Sequence, residues 1–570
     1  MFSILAVLLV AQPSQDAASL RPYPILDPRR AKYVEEVPAG PWVPSRRTAS
    51  ISAGDACQRE VVRGGYRSVQ VNVDALGYNI WGDAANEPSI AIDPTNPRNI
   101  VIGWRQFDTV ESNFRQAGFA YSHDAGHTWV FPGVLAPGVF RSDPILAGGP
   151  DGRVYYFGYT NGVPTIYLSF DRGQSWAEGP VLAQEDKPWM AVDLSDGIGR
   201  GNVYISGNFR GLWRSTDGGT TFDLYSASVG GILTMSVGYD GVLYVADTTG
   251  RAFKSTNAQD PAQRPEFTFL GGVHLGAGAG QPADPNPGGL SGQVWVATDH
   301  SNSPTRGYVY LLASEIAGQA LDVNFVRSTD GGVTWSDPIR VNDDPLDNHA
   351  YQWFAMMSVA PNGRIDAVWN DTRNSGQPNL SELYYSYSID AGDTWSPNIP
   401  VSPMFDSWIG WPNQNKIGDY YHMISDNLGV NVAYAATFNG EQDVYFLRIG
   451  PWDCNGNQVP DEEDIASGTS SDCNANGVPD ECEYRADLDG DGLTTLADYA
   501  AFAAAMTGPS GSYRRKISPS PRPSPVRERG NPVASARGSD CGGSALLDID
   551  HDGDIDLSDF AAFQRILNTP

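Results

Sequence analysis

Between residues 68 and 448 the apolar positions come in short runs rich in Val, Ile, Tyr and Trp, each bounded by Gly, Pro, Asp or Asn. Short apolar runs between turn residues read as strands buried in sheets. They fall into consecutive pairs: Pro88–Asp93 with Ile100–Trp104, Pro144–Ala147 with Val154–Gly158, Pro188–Asp193 with Val203–Ser206, and Ile232–Val237 with Val242–Ala246. Gln293–Thr298 with Tyr308–Leu312, Phe354–Val359 with Ile365–Trp369, and Tyr420–Ser425 with Val432–Ala436 continue the series. The pattern predicts an all-β fold of seven small sheets, each opening on an inner and a middle strand.

After several of these pairs one eight-residue pattern recurs: Ser122-His-Asp124-Ala-Gly126-His-Thr128-Trp129, Ser169-Phe-Asp171-Arg-Gly173-Gln-Ser175-Trp176 and Ser215-Thr-Asp217-Gly-Gly219-Thr-Thr221-Phe222. Ser328-Thr-Asp330-Gly-Gly332-Val-Thr334-Trp335 and Ser388-Ile-Asp390-Ala-Gly392-Asp-Thr394-Trp395 complete the five, and a weakened copy begins at Ser255. The first three copies are spaced as one four-stranded blade plus a variable loop would be. In the pattern, Asp accepts hydrogen bonds from turn amides, Gly takes a positive φ and the aromatic folds back onto the sheet. These Asp residues are expected to make turns, since a site does not need five identical copies. The repeats resemble the Asp-box (bacterial neuraminidase, BNR) family over residues 85–450, which implies a β-propeller of the sialidase superfamily. Seven blades are expected, or six if the segment around 255–300 is a decorated insertion. The last unit ends in Val444–Arg448 without a repeat, so a strand at Ser68–Val73 is expected to complete it and remove the exposed edges. The propeller is assigned to residues 67–450.

The formal charge of −29 excludes nucleic acid as the partner, because phosphate binding needs clustered Lys and Arg. Residues 453–508 and 540–570 hold twenty Asp and Glu against Arg485 and Arg565 alone. The run Phe2–Val10 followed by small residues reads as the core of a signal peptide, residues 1–20, with Ala11 and Ala17/Ala18 as rival cleavage points. Residues 21–66 form an N-terminal arm. No stretch reaches the roughly 20 apolar residues of a membrane span. A secreted, cell-surface or periplasmic location is expected. Four of the five cysteines, 454, 473, 482 and 541, lie in the acidic region, where three pairings are open; Cys57 is the odd one.

That region carries regular oxygen ligands. Asp453, Asn455, Asn457 and Asp461 are matched by Asp472, Asn474, Asn476 and Asp480. Alternate oxygens in a Gly- and Asn-rich loop suit calcium, and residues 451–484 resemble thrombospondin type 3 repeats. Asp487, Asp489, Asp491, Leu493 (by its carbonyl), Thr495 and Asp498 fit positions 1, 3, 5, 7, 9 and 12 of an EF-hand loop. Asp548, Asp550, Asp552, Asp554, Asp556 and Asp559 fit equally well. Each loop runs into a short apolar helix, so residues 485–570 resemble a dockerin, interrupted at 510–539 by a Pro-, Ser- and Arg-rich insertion that cannot bury a core. Ca2+ is the expected cofactor, bound by the tail and not needed by the propeller. A cohesin-like or envelope protein is the implied partner of the tail.

The superfamily resemblance places a pocket where chain enters the inner strands and leaves the middle strands. Glu87, Asp143, Asp186, Lys187 and Asp419 stand before inner strands, and Arg105, Asn208, Arg210, Asp371 and Arg373 after middle strands. Arg and carboxylates converging on one axis suit an anionic or polyhydroxyl ligand. For a sialidase-type hydrolase the resemblance gives Arg105, Arg210 and Arg373 as a carboxylate clamp, Tyr420 as nucleophile beside Glu87, and Asp143 or Asp186 as the acid. The family's Arg-Ile-Pro signature is replaced by Glu87-Pro88-Ser89-Ile90, and seven blades differ from the usual six. The leading expectation is therefore a propeller that binds a glycan or cell-surface ligand without cleaving it, with an exo-sialidase-like hydrolase as the alternative.

Overall fold

The computed structural model describes residues 60–482, apart from the short segments 75–76, 160–163, 183–186, 208–210, 226–228, 277–282, 318–319, 347 and 473–476. The signal peptide, most of the N-terminal arm and the dockerin-like region, with its ligands Asp487 to Asp559 and its insertion, lie outside the described residues, as do Asp186, Asn208, Arg210, Asn474 and Asn476.

Seven antiparallel sheets follow one another between Glu60 and Ile449. Their inner strands are Ala84–Ile92, Ser142–Gly148, Trp189–Val192, Leu233–Val237, Trp295–Thr298, Gln352–Val359 and His422–Ser425. Each packs on the next, and the last packs on the first, so the sheets stand as seven blades around one axis. The chain is an all-β, seven-bladed propeller. The segment around 255–300 is no insertion: Arg251–Ser255 and Thr268–Gly272 are the third and outer strands of blade 4, and Trp295–Thr298 is the inner strand of blade 5. Trp104, Trp353 and Trp369 are among the largest wholly buried side chains between the sheets.

Closure joins the two ends of the ring. In blade 7 Tyr66–Gln70 pairs with Asp443–Ile449, setting Ser68 opposite Leu447 and Gln70 opposite Tyr445. Glu60–Arg63 adds a fifth strand at the outside. The otherwise exposed edge of blade 7 is thus paired.

The repeated hairpins show why their sequence recurs. Asp217 Oδ1 accepts hydrogen bonds from the amides of Thr220 (3.0 Å) and Thr221 (2.9 Å) and from Ser215 Oγ (2.7 Å), while Oδ2 accepts from Thr221 Oγ1 (2.6 Å). Asp171, Asp330 and Asp390 repeat the contact to the amide four residues on.

The starts of the inner strands carry a different device. Glu87, Asp143, Lys187 and Phe354 have φ of 57°, 48°, 50° and 54°. At Glu87, Asp143 and Phe354 the ladder register also shifts. Such bulges re-aim a side chain, and left-handed backbone at non-glycine residues is held only where surroundings enforce it.

A second compact unit comprises His123–Thr128 and the chain from Trp452 onward. Its described part is built on a Cys454–Cys482 disulfide, which settles one pairing the sequence left open. Ala125, Trp452 and Val478 pack around it, and the His127 ring stacks on Trp452 at 3.9 Å. A helix, Asp461–Ser467, ends at Gly468 in the left-handed conformation. No described helix is long and apolar enough to cross a membrane.

Candidate functional site

Left-handed backbone at the starts of three inner strands, bulged at Glu87 and Asp143, brings Glu87, Asp143 and Lys187 into one cluster, which Asp419 joins from the loop before the seventh inner strand. Lys187 Nζ donates to Asp143 Oδ1 (3.4 Å) and to Asp419 Oδ2, and Lys416 Nζ donates to the same Asp419 oxygen (2.8 Å). Arg105, on the second strand of blade 1, has Nε 2.9 Å from Glu87 Oε2 and 2.8 Å from Asn86 Oδ1. Three carboxylates thus face three cations, all more than nine-tenths buried. Burial pushes the Glu87 carboxyl up to about 8 despite the neighbouring Arg105.

Tyr420 stands against this cluster. Its hydroxyl donates to the Pro144 carbonyl at 2.7 Å. Burial first, then the negative charges of Glu87 and Asp143, hold that hydroxyl well above the ordinary tyrosine range. A strap from Ala283 to Ser291 binds to the same end of the axis. Leu290 N donates to Asp419 Oδ1 (2.9 Å), and Asn286 bridges the Gly418 carbonyl (2.8 Å) and the Ile417 amide (3.0 Å). The approach admits no side chain at Gly289, where a Cβ would lie 2.7 Å from Asp419 Oδ1.

Arg373 belongs to a separate group. It contacts Asp371 (2.8 Å), Asp343 (2.6 Å), Asp344 (3.5 Å) and Asn398 (3.1 Å), and its guanidinium lies over the Tyr384 ring at 4.4 Å. The structure therefore brings together Glu87, Arg105, Asp143, Lys187, Asp419 and Tyr420, and leaves Arg373 with its own carboxylates.

A cavity of about 300 Å³ lies at the axis, lined by residues of all seven inner strands. Trp189 and Trp295 meet edge to face in its wall, with ring centroids 5.0 Å apart, and both lie against His422. Trp189 also contacts Tyr420 at 5.7 Å, so the aromatic group joins the cavity to the charged cluster. His422 Nδ1 is 3.0 Å from Ser89 Oγ and accepts from the Ile90 amide (3.3 Å). Burial lowers this ring to about 3, so it stays neutral with its proton on Nε2. Polar groups are hydroxyls and imidazoles: Ser236 Oγ, Thr298 Oγ1 and His300 Nε2 form a chain of 2.8 and 3.1 Å contacts. None of the described lining residues is Asp, Glu, Lys or Arg.

Sequence reasoning missed this cavity, whose signal was a Trp opening each of the inner strands Trp189–Val192 and Trp295–Thr298. It also missed Asp464 in the second unit. Asn455 and Asn457 both donate to Asp464 Oδ2, at 3.1 and 2.7 Å. Asp464 is the twelfth residue counted from Asp453, the position an EF-hand loop gives to a carboxylate. Gln458, the sixth, has φ 68°. Asp453 Oδ2 accepts from the Gln458 amide and Asp472 Oδ2 from the Gly477 amide, both at 2.9 Å, so the two loops begin with the same turn. Asp461 Oδ1 accepts from the Cys454 amide (2.8 Å), and burial raises its carboxyl to about 6. Asp480 starts a single helical turn that ends at Cys482.

No protein-family model matches the sequence, and no curated protein matches it. Among solved structures, the α-L-arabinanase of Penicillium chrysogenum in complex with arabinobiose is 12% identical, with a TM-score of 0.36 over 69% of this chain and 98% of that one. The endosialidase of phage phi92 is 10% identical, with a TM-score of 0.37 over 68% of this chain and 69% of that one. The sialidase of Trypanosoma rangeli is 12% identical, with a TM-score of 0.30 over 68% and 60% of the two chains. Structural neighbours of the propeller thus include sialidases and an arabinanase, as distant likenesses of fold.

Proposed function

We propose that this protein is an extracellular, non-catalytic binding propeller that takes an uncharged carbohydrate in its axial cavity and is attached or stabilised through a calcium-binding C-terminal region. The observation that carries the reading is the neutrality of the cavity. Glycoside hydrolysis in most families needs a pair of carboxyl groups flanking the bond, and sialic acid capture needs an Arg cluster. The described lining offers neither, but it does offer two indoles and a hydroxyl-imidazole chain, the mixture that orients a sugar in a largely apolar pocket. The Asp-box repeats, the apolar N-terminal run and the disulfide are consistent with a secreted member of that fold group. Asp453, Asn455, Asn457, Asp461 and Asp464 would supply the oxygens of the first calcium loop in the tail.

A hydrolase of exo-sialidase type is favoured by one observation, the convergence of Glu87, Arg105, Asp143 and Tyr420. Against it, the Tyr420 hydroxyl is committed to the Pro144 carbonyl and the whole group is closed off from solvent. The test is to pass the purified chain over a glycan panel and read both retention and product release. Retention of neutral glycans without release, lost in a cavity-filling Ser236→Trp variant that still folds, is the expected result. Free sialic acid released from a model glycoside by wild type, and not by Tyr420→Phe, would overturn the non-catalytic reading.

A further inference from the structure

Where the ring closes, three carboxylates are buried together without a cation. Asp83, just before the inner strand of blade 1, is 3% exposed, and Glu441 and Asp443, at the start of the strand that pairs with the N-terminal hairpin, are 2% and 0% exposed. One oxygen from each lies within 4.8 Å of the others. Among the described residues, no Lys or Arg pairs with any of the three. Their partners are neutral: Gln106 Nε2 to Asp83 Oδ2 (2.7 Å), Asn79 Nδ2 and Gly82 N to the two Glu441 oxygens (2.6 and 2.9 Å), and Asn72 and Asn439 to the two Asp443 oxygens (2.9 and 3.1 Å). Asp83 Oδ1 is buried with no well-formed hydrogen bond among the described residues.

The contrast with the axial cluster is instructive. There three carboxylates are matched by three cations. Here three stand alone, and burial together with mutual repulsion drives Asp83 and Asp443 well above the usual carboxylate range. A buried, uncompensated charge is relieved by taking up protons or by binding a metal. Two observations favour the metal. Two ligands of one calcium ion, at 2.3–2.6 Å each, can stand no more than about 5 Å apart, and the three oxygens all lie within 4.8 Å of one another, so a single ion can touch all of them. The surrounding side chains are Asn and Gln, whose amides turn over to offer oxygen in place of NH2.

We propose that Asp83, Glu441 and Asp443 form a divalent-cation site, of calcium type, that pins the seam between blade 1, blade 7 and the N-terminal segment. The all-oxygen donor set selects a hard cation over zinc or copper. The site is distinct from the calcium loops of the tail, and it places a metal in the propeller, where the sequence led us to expect none. It does not depend on what the axial cavity binds.

The full-length chain tests this directly. Fourteen of its fifteen tryptophans precede Trp452, so intrinsic fluorescence reports the propeller. Chelator should lower the fluorescence-monitored melting temperature and calcium should restore it. Asp443→Asn and Asp83→Asn should abolish that response and lower the calcium count by one ion per chain. Asp487→Asn with Asp548→Asn, in the tail, should leave the response intact. A second readout stands if either seam variant folds poorly. Trp104 Nε1 donates to Gln106 Oε1 (2.7 Å), so this indole is two hydrogen bonds from Asp83. Terbium at the seam should luminesce on tryptophan excitation, lose most of that signal in Trp104→Phe, and be displaced by calcium. A propeller transition indifferent to calcium, magnesium and chelator, with terbium signal unchanged in Trp104→Phe, would show that the three carboxyls hold protons instead.

Discussion

Replacing Lys187 by Met keeps the length of the side chain and removes its charge from the axial cluster. Its ammonium serves Asp419 and, at 3.4 Å, Asp143. Lys416 remains on Asp419 and Arg105 beside Glu87, but the wholly buried Asp143 carboxylate loses the Lys187 ammonium. Breaking a buried ion pair from one side costs about 3–5 kcal/mol, more than the hydrogen bonds alone would, because the remaining carboxylate stays desolvated. Urea unfolding at pH 7, followed by tryptophan fluorescence, should show that loss with little dependence on salt, since buried pairs are poorly screened. The double variant Lys187→Met/Asp419→Asn removes a carboxylate together with the ammonium and should recover a large part of the loss. The sign carries the functional point. A strained catalytic centre is commonly stabilised when its charges are removed, whereas a network that closes the axis is weakened. A Lys187→Met protein within about 1 kcal/mol of wild type, or more stable than it, would refute the structural account of the cluster.

Asp217→Ala removes four turn hydrogen bonds at the surface and should cost about 1–2 kcal/mol in urea unfolding while leaving glycan retention unchanged. Gly418 has φ 106°, and a Cβ there would stand 3.0 Å from the Glu87 amide nitrogen; Gly418→Ala should lose at least about 1–3 kcal/mol, read the same way. The Glu87 carboxyl sits at about 8 in the folded protein against an ordinary 4.5. Between those values the folded state holds a proton that the unfolded chain has released, so this group lowers stability as pH rises from 5 to 8. Glu87→Gln should flatten the fall in that window, and an unchanged pH slope would show that Glu87 is ionised in the fold.

The local chemistry of this chain is legible residue by residue. Turn pattern and strand pairing follow from short-range rules, because a Ser-x-Asp-x-Gly hairpin satisfies its own amides and a run such as Ile100–Trp104 has nowhere to go but a buried strand. Seven such units, one unit lacking its repeat and a spare strand near residue 68 were enough to anticipate the closed ring. The same periodicity placed Glu87, Asp143, Lys187 and Asp419 before inner strands, and the superfamily resemblance implied that they converge; the count that makes Asp464 the twelfth residue of its loop was there in the sequence but was missed. What the pattern could not carry was depth and partnership. Burial of Tyr420 against Pro144, the strap that brings Leu290 to Asp419, and the desertion of Arg373 to Asp343 and Asp371 depend on loops whose paths follow no repeat. A cavity without charge is a property of seven strands at once. The seam carboxylates are the clearest case: Asp83 reads as an ordinary turn residue and Glu441 and Asp443 as a solvated hairpin, and only ring closure brings the two ends of the domain together and takes their water away.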